Sequence, residues 1–201
     1  MLSPLPESMR DLVIDGYSLT IRDVVDTGLG LTRVALSQSA REKMMSSREA
    51  VTKILNDETV TYGINTGFGA LSSVTIEPDK LEHLQANLIR SHACGVGEPM
   101  EDRHTLMMML IRANTLCRGN SGARPVIVDT LISMINHGVC PVIPRIGSLG
   151  ASGDLAPLSH LALGMMGEGK CNIRIGTNEW TLMSSKDCLL YTSDAADEGL
   201  G

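Results

Sequence analysis

Four segments of the chain repeat apolar residues with helical spacing, and they constrain its fold more than any other feature. They cover residues 79–95, 101–119, 125–138 and 154–169. Residues three and four positions apart lie on the same face of an α-helix, so each segment predicts an amphipathic helix. In the second segment, the predicted face carries Leu106, Met109, Leu110, Ala113 and Cys117. Together the segments predict a mainly α-helical fold built on a bundle of long helices.

Shorter elements of mixed type are predicted before this bundle. Residues 11–16, DLVIDG, favour a strand, and residues 18–28 favour a short helix that begins at Ser18 as its N-cap. Residues 37–57 predict a further amphipathic helix. The N-terminal region is therefore expected to be small and mixed α/β. Two later segments are predicted to be extended: residues 140–147, which contain two prolines, and residues 171–182, which alternate like a hairpin.

The composition argues against several classes of function. A net charge of −6 without a basic cluster is not typical of a nucleic-acid-binding protein. No apolar run approaches the roughly 18–20 residues that span a bilayer, and the first residues lack the pattern of a secretory signal. Five cysteines without a C-x-x-C pair predict reduced thiols in the cytoplasm. We therefore expect no nucleic-acid, membrane or metal partner.

Residues 147–160, GSLGASGDLAPLSH, contain a tripeptide whose own backbone can react. If the amide nitrogen of Gly153 attacks the carbonyl of Ala151, a five-membered ring closes. Loss of water from that ring and from the Ser152 side chain then leaves a methylene group conjugated to a carbonyl, which is a strong electrophile. Asp154 is predicted to cap the helix that follows, whose dipole favours negative charge at this end. A glycine-rich turn before a capped helix is the alternative interpretation.

Residues 61–73, TYGINTGFGALSS, form a second irregular segment, rich in glycine and polar residues. Unstructured connections of about a dozen residues are uncommon and often functional. A phosphate-binding loop is one interpretation, but the segment lacks the lysine of a P-loop. The pattern therefore favours a functional loop of another kind.

Several blocks together resemble one enzyme family, the aromatic amino acid ammonia-lyases. Residues 147–169 are similar to the family's signature, and YGINTGFG at residues 62–69 resembles its catalytic tyrosine loop. NLIRSHACGVGEP at residues 87–99 and RANTLCRGNSGARP at residues 112–125 match further blocks in the same order. The resemblance covers almost all of residues 8–175. Members of this family use a self-made 4-methylideneimidazole-5-one group (MIO) to eliminate ammonia from an aromatic L-amino acid.

The resemblance implies a role for each matching residue. Ala151, Ser152 and Gly153 would form MIO without an external cofactor, and Asp154 would support them. Tyr62 would be the catalytic base or acid, which requires nearby positive charge or hydrogen bonds to lower its pKa from about 10. Packing at the root of the loop is the alternative role for this tyrosine. The other loop residues are expected to support the site and let the loop open and close: Gly63, Asn65, Gly67, Phe68 and Gly69.

The pair Ser91-His92 bears on the substrate. A Ser-His pair at this position resembles the histidine-specific members, so His92 is expected to contact a substrate imidazole, with Ser91 beside it. A helix-end histidine with an ordinary structural hydrogen bond is the alternative. The implied reaction is L-histidine to urocanate, in histidine catabolism. A tyrosine or phenylalanine ammonia-lyase or an aminomutase stays open, because GNSG at residues 119–122 departs from the usual histidine-lyase pattern.

The resemblance also implies a larger assembly. The family fold has a small mixed N-terminal region and a long-helix bundle, and it forms a homotetramer whose sites combine residues from several subunits. Residues 1–187 correspond to its N-terminal portion, so we expect an incomplete ammonia-lyase fold that is inactive alone, or a non-catalytic truncated chain. Residues 188–201 lack periodicity and resemble a translated sequencing adapter, so we expect them not to be native. The other histidines are expected at the surface or between helices: His83, His104, His137 and His160.

Overall fold

The computed structural model describes residues 9–57, 60–61, 64–66, 78–150, 152–175 and 179–198. About half of the chain is helical and a small part is strand, as the sequence predicts. The helices are α1 Ile21–Gly28, α2 Gln38–Asn56, α3 Pro78–His92, α4 Asp102–Leu116, α5 Pro125–Asn136, α6 Leu155–Met165 and α7 Ser185–Glu198. The strands are β1 Arg10–Ile14, β2 Thr32–Leu36, β3 Val96–Pro99, β4 Val139–Pro141, β5 Pro144–Ile146, β6 Lys170–Ile175 and β7 Glu179–Ser184.

The first three elements form a small β-α-β unit. β1 and β2 pair in parallel, with Leu12 opposite Val34, and both side chains are buried. The sequence predicts β1, but β2 is an addition from the structure. The N-terminal region is therefore mixed α/β, as expected.

Helix α1 begins two residues later than its predicted N-cap. The N-cap is Thr20, whose hydroxyl accepts a hydrogen bond from the Asp23 N–H while the Asp23 carboxylate accepts from the Thr20 N–H. The Ser18 hydroxyl donates to the Asp15 carboxylate instead. The prediction of Ser18 was wrong because a reciprocal capping box is available two residues further on.

The hydrophobic core lies where α4 and α5 pack against the N-terminal unit. The face predicted for α4 is buried, with its members at 1 % exposure or less: Leu106, Met109, Leu110, Ala113 and Cys117. From α5 and α2 the core receives Val128, Leu131, Met134 and Met44. This packing confirms the helical periodicity of both segments.

Two asparagine side chains join the helices to the β-α-β unit. The Asn136 side-chain amide accepts from the Val34 N–H at 2.8 Å and donates to the Val34 carbonyl at 2.9 Å. It thus makes the two backbone hydrogen bonds that an adjacent strand would make with β2. Asn114 on α4 accepts from the Gly16 N–H at 2.9 Å. These bonds satisfy backbone groups that would otherwise face the core without partners.

The remaining strands form two small antiparallel sheets. β4, β6 and β7 pair in that order, which confirms the predicted hairpin of residues 171–182. β3 pairs with β5, so the segment of residues 140–147 is extended as predicted, although β3 itself has no clear sequence signal. Within the described ranges, no helix combines the length and apolar composition needed to cross a membrane.

Helix α7 covers most of a segment for which the sequence indicates no regular structure. Cys188 and Thr192, four positions apart, are both buried in it. Ser185 is buried as well, and Leu189 packs against the core, so the start of this helix contacts the rest of the structure. The expectation that residues 188–201 are not native concerns the gene and stays a prediction.

Asn136→Ala is expected to reduce the free energy of unfolding by about 2 kcal/mol, because both polar groups of Val34 lose their partner. Equilibrium unfolding in urea measures the change. Gln38→Ala is the matched control, since its exposed amide donates to Glu42 one turn along the same helix, and it should cost less than about 0.5 kcal/mol. Equal losses in the two variants would contradict this role of Asn136.

Candidate active site

The predicted MIO tripeptide lies on the loop that leads into α6. Ser152 is exposed, and Gly153 has a φ of +67°, in the left-handed region that favours glycine. A Cβ built on Gly153 would meet only the Cβ of Ser148, at 3.8 Å. The backbone around Gly153 is therefore open to approach. Ala151, the remaining member of the tripeptide, lies outside the described residues.

Asp154 occupies the predicted N-cap position of α6, but its side chain does not cap the helix. Its backbone is already helical, with φ −103° and ψ −11°, whereas a capping residue is normally extended. The carboxylate accepts the hydroxyl hydrogen bond of Ser152 at 2.5 Å instead. The Ser148 hydroxyl donates to the Gly153 carbonyl. Two serine hydroxyls therefore hold this turn, and the capping role predicted for the Asp154 side chain was wrong.

Helices α3 and α6 run antiparallel, and the segment that follows the predicted substrate pair leads along α6 towards this turn. The Arg90 guanidinium near the end of α3 contacts the Glu168 carboxylate beyond the end of α6, at 2.6 Å. Three residues past α3, the Gly95 N–H donates to Nε2 of His160 on α6, at 3.0 Å. The contacts therefore move towards the start of α6 as the chain leaves α3. The segment that follows α3, rather than α3 itself, therefore leads towards the start of α6.

A close backbone contact fixes the tripeptide loop against the segment after α3. A Cβ on Gly147 would lie 2.8 Å from the Cα of Gly95, and Gly147 has a φ of +141°. Only glycine meets both requirements without strain. Next to this contact, Val96 of β3 pairs with Ile146 of β5. The loop of residues 147–154 therefore starts from a rigid attachment beside the end of α3.

His92 is half-buried at the end of α3, with one ring nitrogen committed to its own helix. Nδ1 lies 2.8 Å from the Leu88 carbonyl and 3.1 Å from the Ser91 hydroxyl, which also donates to that carbonyl. A carbonyl can only accept, so Nδ1 carries the proton and Nε2 has the lone pair of the neutral ring. The structural hydrogen bond of the alternative interpretation is present. It also orients Nε2 as an acceptor.

The predicted tyrosine loop is described only in part. Asn65 is buried, and its side-chain oxygen accepts from the Thr61 N–H at 2.8 Å, while its own N–H donates to the Thr61 carbonyl at 3.3 Å. This reciprocal pair closes a turn from Thr61 to Asn65, consistent with a supporting role for Asn65. The other predicted residues of this loop lie outside the described residues: Tyr62, Gly63, Gly67, Phe68 and Gly69.

His160 is a site residue that the sequence did not single out. It lies on α6, and its acceptor bond to Gly95 in the segment after α3 gives it a specific structural role. Burial lowers the pKa of His160, which favours the neutral ring that this bond requires. The two partners are separated by 65 positions, so no local pattern could have indicated the contact.

Four of the five cysteines are too buried to act as nucleophiles, whereas Cys94, beside Gly95, is exposed. All five cysteines are free, and Cys117, Cys140, Cys171 and Cys188 are buried. Burial raises the pKa of Cys117 to about 11, which keeps it protonated at neutral pH. In the described part of the chain, no group of three or more potential ligand side chains is arranged to hold a metal ion.

The bond from Gly95 to His160 predicts a pH-dependent stability. The unfolded chain, with an ordinary histidine pKa of about 6.5, takes up the proton before the folded one does. The stabilising contribution is therefore complete above about pH 6.5 and is lost as the pH falls through the lowered folded pKa. His160→Gln keeps an acceptor that does not titrate. Its free energy of unfolding should fall less than that of the parent between about pH 7.5 and pH 5, and parallel curves would contradict the assignment.

Comparison with known proteins agrees with this geometry. The aromatic amino acid lyase family model matches residues 19–191. A histidine ammonia-lyase of Caldanaerobacter subterraneus subsp. tengcongensis is 51% identical over 162 residues, which are 81% of this chain and 32% of that protein.

Solved structures show the same architecture. The crystal structure of histidine ammonia-lyase from Trypanosoma cruzi has a TM-score of 0.79 and 40% identity, and the match covers 92% of this chain and 34% of that one. A tyrosine aminomutase from Streptomyces globisporus has a TM-score of 0.79 and 31% identity over 90% of this chain and 33% of its own. The chain thus spans about a third of the length of these proteins. It has the ammonia-lyase fold over that part, and it belongs to the aromatic amino acid lyase family.

Proposed function

We propose that this chain is the N-terminal portion of an enzyme that eliminates ammonia from L-histidine to give urocanate. The observation that carries the proposal is the hydrogen bond from Ser152 to Asp154 beside the left-handed Gly153, at the start of α6. A plain glycine-rich turn before a capped helix needs no such bond, because its acidic residue would cap the helix instead.

The residues at this turn fit the formation of MIO. Ring closure would join the Gly153 nitrogen to the Ala151 carbonyl carbon, and the lack of a side chain on Gly153 favours that approach. Water then leaves from the ring carbonyl and from the Ser152 hydroxyl, which Asp154 holds by its hydrogen bond. When formed, MIO supplies an electrophile for the substrate amine, which none of the ordinary side chains provides.

The remaining roles follow from the resemblance and the contacts around it. Tyr62, as the catalytic base, would remove the proton from the substrate β-carbon. The hydrogen bonds between Thr61 and Asn65 would hold the start of its loop. A low tyrosine pKa would be required for this step, because an ordinary phenol titrates near about 10. The N-terminus of α6 would favour negative charge that develops beside Ser152 and Gly153.

His92 supports histidine as the substrate. Its Nε2 is an acceptor in the neutral ring, so it can accept the N–H of a substrate imidazole, which a phenylalanine ring cannot offer. The name of the Caldanaerobacter relative agrees with this choice. Specificity from such a bond is strong because the unpaired polar group is costly with the wrong ligand.

A homotetramer in the cytoplasm would complete the site. Leu149 and Leu155, on either side of the tripeptide, are 89% and 59% exposed. Apolar side chains so exposed around a reactive turn are suited to contact with another part of an assembly. The incomplete fold would then be inactive until other segments cover this turn.

Ser152→Ala is expected to abolish MIO formation, because no hydroxyl remains to leave. The parent chain should show ultraviolet absorbance of the group and a mass lower by the water from the ring and the water from Ser152. Mass spectrometry of the tryptic peptide locates the change. Ser159→Ala, on α6 outside the tripeptide, is the matched control and should retain the modification. An unmodified tripeptide in the folded parent chain would overturn the proposal.

His92→Phe is expected to raise the KM for L-histidine by at least about tenfold with a smaller change in kcat, because a hydrogen bond to the substrate is lost. The assay uses this chain joined to the remaining part of the Caldanaerobacter enzyme and follows urocanate and ammonia. His83→Phe, at an exposed position of the same helix, is the control. Activity on L-tyrosine or L-phenylalanine alone, or formation of a β-amino acid without ammonia, would identify one of the alternatives.

A further inference from the structure

A cavity of about 480 Å³, distinct from the candidate active site, opens between α4 and the β6–β7 hairpin. Its size is within the range of about 300–1,000 Å³ typical of small-molecule sites. None of the residues assigned to the active site lines it. The lining residues are Gly28, Leu29, Glu101, Asp102, Arg103, Arg174 and Trp180.

The Arg174 guanidinium is held rigidly at this cavity. Its central carbon lies 4.9 Å from the centre of the Trp180 ring, a stacked cation–π arrangement. A Cβ built on Gly30 would lie 1.6 Å from Nη1 of Arg174, and one built on Gly138 would lie 2.7 Å from its Cβ. Both glycines therefore make room for this one side chain. The guanidinium group of Arg174 is therefore positioned before any ligand binds, which reduces the conformational entropy lost on binding.

Among the described residues, Arg174 forms no ion pair, although the nearby Asp102 carboxylate attracts its charge. Its Nε is buried and has no hydrogen-bond partner there. Burial lowers the pKa of Arg174, although the charge of Asp102 opposes the shift. A guanidinium in this condition is a binding site for a carboxylate.

One carboxylate at the cavity also forms no ion pair with the described residues. Glu101 is neutralised by Arg103 at 2.7 Å and by Arg145 at 3.4 Å. Asp102 accepts a hydrogen bond from the Asn172 amide at 2.8 Å but, among the described residues, makes no ion pair. The cavity therefore presents one cation and one anion, neither of which forms an ion pair among the described residues.

We propose that this cavity binds a small zwitterion of the α-amino acid class. The ligand carboxylate would pair with Arg174 and its ammonium group with Asp102, while Trp180 and Leu29 provide apolar surface for a side chain. A ligand with only a negative charge would be repelled by Asp102, and a ligand with only a positive charge would be repelled by Arg174. The site does not depend on MIO, so it is separate from the proposed activity and can be tested when that activity is absent.

Trp180 is the only tryptophan of the chain, so its fluorescence reports on this cavity directly. The experiment titrates the Ser152→Ala chain with L-histidine and L-leucine, and with acetate and methylamine as probes of each charge alone. A saturable change is expected with at least one of the amino acids, and weaker binding by about tenfold or more with each single charge. No saturable response to either amino acid, or equal binding of acetate, would overturn the proposal.

Two variants assign the contacts, with calorimetry as the measurement because Arg174 itself touches the reporter. Arg174→Gln and Asp102→Asn should each weaken amino acid binding by about tenfold or more. Arg22→Gln removes the same charge as the first variant from a side chain that is 88% exposed, and should bind normally. Asp102→Asn keeps the acceptor for Asn172, so it tests the site even if Arg174→Gln does not fold. Unchanged affinity in folded Asp102→Asn would contradict the zwitterion.

Discussion

The contact between the backbones of Gly95 and Gly147 is the constraint on which the candidate active site depends. It joins the segment after α3 to the loop before α6, at a distance that excludes any side chain at Gly147. The bond from the Gly95 N–H to His160 attaches the same glycine to α6 itself. His92 and Ser152 are consequently carried by two segments that meet at one fixed point. A reactive turn needs such support, because catalytic groups must hold their geometry closely.

The sequence was sufficient wherever a local pattern determines the outcome. The buried face of α4 followed from the spacing of Leu106, Met109 and Leu110, since that spacing fixes which side chains share a helix face. The hairpin of residues 171–182 followed from its alternation, because period two separates the faces of a strand. The position of the tripeptide before α6 followed from its motif. Each of these features is decided within a few residues of the chain.

Features that depend on distant partners could not be predicted in this way. β3 has the sequence VGEP, whose glycine and proline do not favour a strand, and it forms only because β5 lies beside it. The acceptor role of His160 requires Gly95, which the fold alone brings near. Asp154 was misjudged for a different reason. Its type and position are those of a cap, but its helical dihedral angles remove the capping geometry and leave the carboxylate to Ser152.

Two arginines show how the fold distinguishes structural charges from charges available to a ligand. Arg90 is exposed and paired with Glu168, whose pKa is lowered by that pairing, and such a surface pair contributes little to stability. Arg174 is half-buried, is stacked on Trp180 and forms no ion pair among the described residues. Burial of an unpaired charge destabilises a protein, so a neutral residue would serve packing better at this position. The arrangement becomes favourable once a ligand carboxylate pairs with Arg174, and Asp102 on the same cavity then selects a ligand that also carries an ammonium group.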